Sequence, residues 1–353
     1  MGSLPGHPRA AAGADSRPLS RVPARERSPL VIFGTGALAC AIGARLARAG
    51  DKVALVGTWT AAREAIARRG VVVHEPGCSW SAPLETAPLE EPPEGCPLAL
   101  VLVKSHQTGR VAPALARALA PEGLAVTLQN GLGHRQALEG TLGPYRVAVG
   151  VALLGARLLG PGEVRVVPGR ILLGAEKATA TAVHRLAERL RAAGQDVETT
   201  REIDRAIWAK LAANCGINPL SALLRVTNGA LLDDPETRRL LRAAALEVAA
   251  VAAGRGIALA DDPAALAEQV AAATATNDSS MRQDLERGSM SEIDVLNGAV
   301  VAEGRRLGVP TPVNERLWRG VREQEGRPMP EPTRGPRARP AGRRRVTIQG
   351  ERA

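Results

Sequence analysis

LVIFGTGALACAIGARLARAGDKVALV, residues 30–56, is the stretch on which the fold turns. Leu30 to Phe33 form an unbroken apolar run of the kind that fills a strand buried on both faces. A Gly-Thr-Gly turn follows, then Ala- and Leu-rich sequence with helical spacing as far as Gly50, then a second apolar run from Lys52 to Val56. Strand, tight turn, helix and strand in that order predict a βαβ unit. Gly34 permits the turn. Gly36 keeps side-chain bulk off the start of the helix, where free amides and the helix dipole draw in an anion such as a phosphate. The third small position is Ala39. A glycine-rich turn without a ligand is the competing reading, and the second strand at βαβ distance favours the phosphate.

An acid at the end of the second strand would bind the ribose hydroxyls of NAD, and a basic residue the 2′-phosphate of NADP. Val56 is followed by Gly57, Thr58 and Trp59, with no acid before Glu64 and Arg63 as the nearest cation. The missing acid favours NADP. With no basic residue beside the strand, NAD stays open.

Further along, the apolar run Leu98 to Val103 ends in Lys104-Ser105-His106-Gln107-Thr108, and Val126 to Leu128 runs into Gln129-Asn130-Gly131. Both polar clusters stand where strands end, so a parallel sheet brings them to its carboxyl edge, the ligand side of such folds. Taken singly, Asn130-Gly131 is an ordinary turn and Lys104 a surface charge; His106 is read as structural. Short β segments are expected over Val147 to Leu153, Gly162 to Val167 and Arg170 to Leu173, then a helix from Thr179 to Ala193.

A second stretch, WAKLAANCGINPLSALL from Trp208 to Leu224, sets Lys210, Asn214 and Asn218 at steps of four, along one face of a helix. Pro219 is expected to end or kink that helix just past Asn218. Lys and Asn on the wet side of a surface helix would be the bland explanation. Composition argues against it: of 46 basic residues only Lys52, Lys104, Lys177 and Lys210 are lysines, so where arginine serves as the solvated charge a lysine is kept for something else. An amine can change protonation state and a guanidinium cannot. Asparagine is also scarce, and three of the seven fall between residues 214 and 228.

The formal charge of +10 resembles a nucleic-acid signal until it is located. Residues 1–28 hold five arginines and two acids, and residues 327–353 hold eight arginines and two acids, leaving +1 for the rest. Both ends are rich in Pro, Gly and Arg without periodicity and are expected to be disordered extensions. Six aromatic residues leave little for bases to stack on, so no nucleic-acid partner is expected. The longest apolar run is too short to span a membrane, and the scattered Cys40, Cys78, Cys96 and Cys215 indicate neither disulfide framework nor metal site. A cytoplasmic location fits.

The C-terminal half reads as helices over 203–224, Pro235 to Gly254 and Pro263 to Thr276. It closes with DSSMRQDLERGSMSEIDVLNGAVV, Asp278 to Val301, dense in polar groups. The serines there could be helix caps and the acids dipole partners.

In order, the GTGALA turn, VKSHQT, QNG, Lys210-x₃-Asn214-x₃-Asn218 with Asn228 beyond, and SSMRQD…SEIDVLNG make the chain resemble the ketopantoate reductase family from about Val31 to Leu317. The resemblance implies an α/β fold: a Rossmann-type doubly wound sheet (29–200) followed by an all-helical C-terminal domain (201–326) like that of 6-phosphogluconate dehydrogenase, with the site in the cleft between them. It implies NADPH-dependent reduction of 2-dehydropantoate to pantoate, a step towards pantothenate and coenzyme A. By the same resemblance Lys210 is the general acid and Glu292 a catalytic or cofactor-ribose partner. Asn214, Asn218, Asn228 and Ser280 hold the substrate, Gly34, Gly36, Ala37, Lys104 and Asn130 line the cofactor, and Glu247 is a supporting acid. A homodimer is compatible with the family pattern. Thr58-Trp59 departs from its basic residue after the second strand, and Ser289 and Ser291 from its Arg and Thr. Two alternatives stand beside this reading: a related reductase with another 2-oxo acid as substrate, and a non-catalytic NADP-binding protein whose Arg-rich ends contact a partner.

Overall fold

The computed structural model describes residues 28–259 and 262–330. The basic N-terminal extension as far as residue 27, and the tail beyond residue 330, lie outside the described residues. The chain divides into two compact units, one built by residues up to Leu211 and the other from Ala212 on, with a short stretch from Arg255 belonging to the first.

The first unit runs β1 (Leu30–Phe33), α1 (Ala37–Arg48), β2 (Val53–Val56), α2 (Thr60–Arg69), β3 (Val71–Glu75), β4 (Cys78–Ala82), β5 (Glu85–Ala87), β6 (Cys96–Val101), α3 (Thr108–Ala118) and β7 (Leu119–Thr127). It continues through α4 (His134–Leu142), β8 (Val147–Ala152), β9 (Gly155–Gly160), β10 (Glu163–Val167), β11 (Arg170–Gly174), α5 (Ala180–Ala192) and β12 (Asp196–Thr200). The main sheet has the order β12-β11-β8-β7-β6-β1-β2-β5. Its strands pair in parallel except β11 against β8. From β1 the chain goes outward to β2 on one side and returns to β6 on the other, so the carboxyl ends of β1 and β6 flank the point where strand order reverses. β1 is wholly buried, as an unbroken apolar run requires.

A smaller sheet, β4-β3-β10-β9, was not foreseen from the sequence. α1 lies against it: Cys40, Ile42 and Leu46 share one core with Val71, Val73, Val164 and Val166, and in β10 the buried Val164 and Val166 alternate with the exposed Arg165 and Val167. Burial there pushes the Cys40 thiol up to about 12, which makes it an inert packing group.

α6 (Ile203–Leu224) carries the chain from the first unit into the second, which adds α7 (Pro235–Gly254), α8 (Pro263–Ala273), α9 (Ser280–Glu286), α10 (Ala299–Leu307) and α11 (Pro312–Gln324). Residues Asp294–Gly298 wind as a π turn, with the Gly298 amide reaching back to Ile293 O at 3.0 Å. Two expectations need correction. Of the two outcomes expected at Pro219, an end or a kink, the end does not occur: α6 runs through it to Leu224, and the carbonyl that the proline leaves without a helical partner, Cys215 O, accepts from Asn297 Nδ2 at 2.9 Å. The C-terminal tail does not begin free at Arg327, since Arg327 is paired with Asp294 and Glu325, and Pro328 O accepts from Arg322 Nε at 2.9 Å. No helix of the described residues is long and apolar enough to cross a membrane.

Candidate functional site

In the first unit the site grows from the turn after β1. The backbone there is wedged between its neighbours: Gly34 N donates to Val56 O and Leu102 N to Phe33 O, both at 2.8 Å. Gly34 has φ +136°, and a Cβ on it would stand 2.9 Å from Leu102 O, so this position demands glycine. Gly36 differs. Its φ of −81° suits any residue, and a Cβ there would meet nothing within 4 Å. Gly36 caps α1 without a side-chain bond, and no acid stands in the first turn. Open space over uncapped amides at the start of a 12-residue helix fits a phosphate group.

The loops after β6 and β7 lie at the same sheet edge. Lys104 precedes a short 3₁₀ turn, Ser105–Gln107, and both it and Asn130 are half-buried. Two side chains to which the sequence pattern assigns no role of their own, Gln129 and His134, tie these loops together. Gln129 Nε2 donates to Val103 O and to Thr108 Oγ1, each at 2.9 Å, while its Oε1 accepts from Thr127 Oγ1. His134 Nε2 lies 2.8 Å from Asn130 O; a carbonyl can only accept, so Nε2 carries the proton and Nδ1 faces Thr108 Oγ1 at 3.5 Å. The QNG pattern contained Gln129, but its partner residues could not be read from it.

Lys210 is half-buried on α6, and its Nζ donates to Ala152 O, the last residue of β8, at 2.7 Å. The helix is no wet surface element: Trp208, Leu211, Ala212, Ala213, Cys215 and Ile217 are all buried, and Asn218 is too. Lys210, Asn214 and Asn218 therefore form a polar stripe on a helix that is largely enclosed from Trp208 to Ala222, with Lys210 and Asn214 half-buried.

The remaining residues belong to the second unit. Asn228 is buried and donates through Nδ2 to Thr274 Oγ1 at 2.9 Å, its Oδ1 enclosed without a hydrogen-bond partner. Of the paired serines, Ser279 is the cap of α9, accepting from Arg282 N at 3.1 Å, and Ser280 is exposed at the first helical position. Glu292 is buried two residues before the π turn. The segment around it is pinned on either side. Ser291 N donates to Glu325 Oε1 at 2.7 Å, and Asp294 accepts from Trp318 Nε1 and Arg322 Nη1, both at 2.7 Å. Burial alone would push the Asp294 carboxyl up, but the bonds from Trp318, Arg322 and Arg327 outweigh it and hold the group below its ordinary value. Glu247 is committed elsewhere: its carboxylate takes Val313 N at 2.8 Å, Asn314 N at 2.9 Å and Asn314 Nδ2 at 2.8 Å, capping α11.

A doubly wound sheet with an uncapped glycine turn at its switch point, followed by a helical unit, defines a Rossmann-type dinucleotide-binding protein. Residues 30–178 match the ketopantoate reductase PanE/ApbA family and residues 202–325 its C-terminal domain. The chain belongs to the ketopantoate reductase family. The 2-dehydropantoate 2-reductase of Halobacterium salinarum is 34% identical over 287 residues, covering 80% of this chain and 94% of that protein. The crystal structure of a PanE/ApbA family ketopantoate reductase from Ralstonia eutropha superposes with TM-score 0.78 at 34% identity, covering 84% of this chain and 98% of the other. D-mandelate dehydrogenase, solved with NADH and anilino(oxo)acetate, superposes with TM-score 0.80 at 26% identity and the same coverage.

Proposed function

We propose that this protein reduces 2-dehydropantoate to pantoate with NADPH, a step of pantothenate and coenzyme A biosynthesis. The observation that carries the reading is Lys210, the half-buried cation of that polar stripe, its ammonium aimed by the Ala152 carbonyl. Gly34, Gly36 and Ala37 would hold the cofactor phosphates at the start of α1, with Lys104 and Asn130 at the neighbouring strand ends. When bound, the nicotinamide supplies the hydride.

The chain's own residues do the rest. As the ketone carbon is reduced its oxygen gains negative charge, and Lys210 Nζ both donates a hydrogen bond to that oxygen and delivers its proton. Asn214, Asn218, Asn228 and Ser280 serve the substrate, since amides and hydroxyls bind a molecule with a hydroxyl, a ketone and a carboxylate without adding charge. Glu292 is assigned to catalysis or to the cofactor ribose. In a nicotinamide-absorbance assay, Lys210→Ala is expected to lose roughly 10²–10⁴ in kcat while NADPH affinity holds. Normal turnover by that variant would sink the assignment.

A second reading keeps the chemistry and changes the substrate. It is favoured by the D-mandelate dehydrogenase likeness, whose solved complex holds a different 2-oxo acid derivative. A panel of 2-oxo acids ranked by kcat/KM separates the two: preference for an aryl 2-oxo acid over 2-dehydropantoate selects the second.

A further inference from the structure

Pro219 stands inside α6 and brings no N–H, so Cys215 O, four residues back, has no helical donor. Asn297, wholly buried, supplies one. Its Nδ2 donates to Cys215 O and to Asn314 Oδ1, each at 2.9 Å. Two carbonyl acceptors use both hydrogens and fix which way the amide faces, leaving its own Oδ1 enclosed without a partner. A buried asparagine that tolerates an unpaired oxygen is kept for its donors. Asn314 is itself held, Nδ2 donating to Ala244 O at 3.0 Å and to Glu247 Oε2 at 2.8 Å. The bonds thus run from α6 through the π turn to α11 and α7, and the π turn that bears Asn297 starts just after Glu292. Proline in a helix bends it, and π turns gather at functional sites.

We propose that Asn297 is a positioning residue, its carboxamide standing in for the backbone amide that Pro219 lacks. It holds α6 in its proline-set course and fixes Asn214 and Asn218 on that helix relative to Glu292 on the π segment. This rests on the function proposed above, where those residues receive their roles. A proline and an asparagine bonded in this way form a pair, and together they let the helix carry a proline without an unpaired carbonyl.

The test is a cycle of Pro219→Ala, Asn297→Ala and both together in the full chain, read by thermal midpoint and by separate KM values for 2-dehydropantoate and NADPH. Asn297→Ala strands the Cys215 carbonyl and is expected to lower the midpoint by about 5 °C. In the double variant the backbone N–H that Pro219→Ala restores satisfies that carbonyl, and at least half the loss should return. Asn297→Ala and Pro219→Ala are each expected to raise KM for 2-dehydropantoate about tenfold, as is the double variant, with KM for NADPH within about twofold. Additive midpoints would overturn the replacement of one amide by the other. A wild-type KM for 2-dehydropantoate in Asn297→Ala would overturn the positioning role. A wild type that ignores 2-dehydropantoate brings down the substrate assignment instead, and the midpoints then still decide the pairing.

Discussion

The glycine turn of the first unit and the π segment of the second hold their candidate residues by opposite means. In the first, the turn from Gly34 to Gly36 works through backbone alone: uncapped amides at the start of α1, with no side chain over them. In the second, Glu292 and the α6 asparagines are mounted on side chains that answer one another across the sequence, through Asp294, Asn297, Asn314 and Glu325. A backbone site needs particular residues only where bulk or φ forbids others, so it announces itself in a few glycines. A side-chain-mounted site needs partners from several helices, each of which looks ordinary alone. The first should therefore fail by strain or obstruction at one residue, and the second by loss of support from a distance.

Lys210 gives the largest effect expected in either region. Lys210→Arg preserves the charge and can still donate to Ala152 O, but a guanidinium does not give up its proton at working pH. The expected loss in kcat is roughly 10²–10⁴, close to that of the alanine variant. Activity near wild type in Lys210→Arg would mean that charge alone is required and proton transfer is not.

Next come two substitutions that look alike in sequence. Gly34→Ala forces an L-residue into φ +136° with its Cβ against the Leu102 carbonyl. It should cost about 2–4 kcal/mol in denaturant titration and destroy cofactor binding through the backbone. Gly36→Ala puts its methyl into open space at an ordinary φ, so stability should change by less than about 0.5 kcal/mol. NADPH affinity should nevertheless fall about tenfold, because the methyl stands where a phosphate would approach. Equal stability losses would break the distinction.

Asp294 tests the side-chain mounting. Its folded value lies below the unfolded one, so its contribution is fully present above the unfolded carboxylate value and is lost as pH falls through the folded value. Asp294→Asn should lower stability by about 1–2 kcal/mol near neutral pH, a figure that allows for a carboxylate about one-third exposed. Below about pH 4 the gap between wild type and variant should narrow. A gap that is constant with pH would show that shape, and not charge, holds the π segment.

What was legible follows the same division. Leu30 to Val56 could be read because apolar runs, glycine turn and helix are local signals, and α6 and α7 fall at the expected Ile203–Leu224 and Pro235–Gly254. The smaller sheet could not: β3 pairs with β10, Val73 against Val164, and nothing near either strand names the other. The donor to the carbonyl that Pro219 leaves open is Asn297, 82 residues beyond Cys215, and nothing near Pro219 names it. Glu247 reads as a supporting acid until the amides of α11 are seen to consume its carboxylate. Ser279 and Ser280 are the same residue type one position apart, and only the helix start assigns the cap to Ser279.

The smallest expected effect bears on which nicotinamide cofactor the first unit prefers. Thr58 and Trp59 are exposed after β2, and Trp59 caps α2 without a side-chain bond. In the first turn of α2, Arg63 reaches Thr60 Oγ1 through Nη2 at 3.4 Å, a weak tether that a phosphate could outcompete. If Arg63 serves the 2′-phosphate, the site takes its cation from the helix and not from the strand end. Arg63→Ala should then reduce the preference for NADPH over NADH, as the ratio of kcat/KM, by about fivefold, the worth of one partly exposed charge contact. Trp59→Ala should leave the ratio unchanged. A ratio untouched in Arg63→Ala would make cofactor choice a property of backbone and shape, and carry the backbone character of the glycine turn along the rest of that sheet edge.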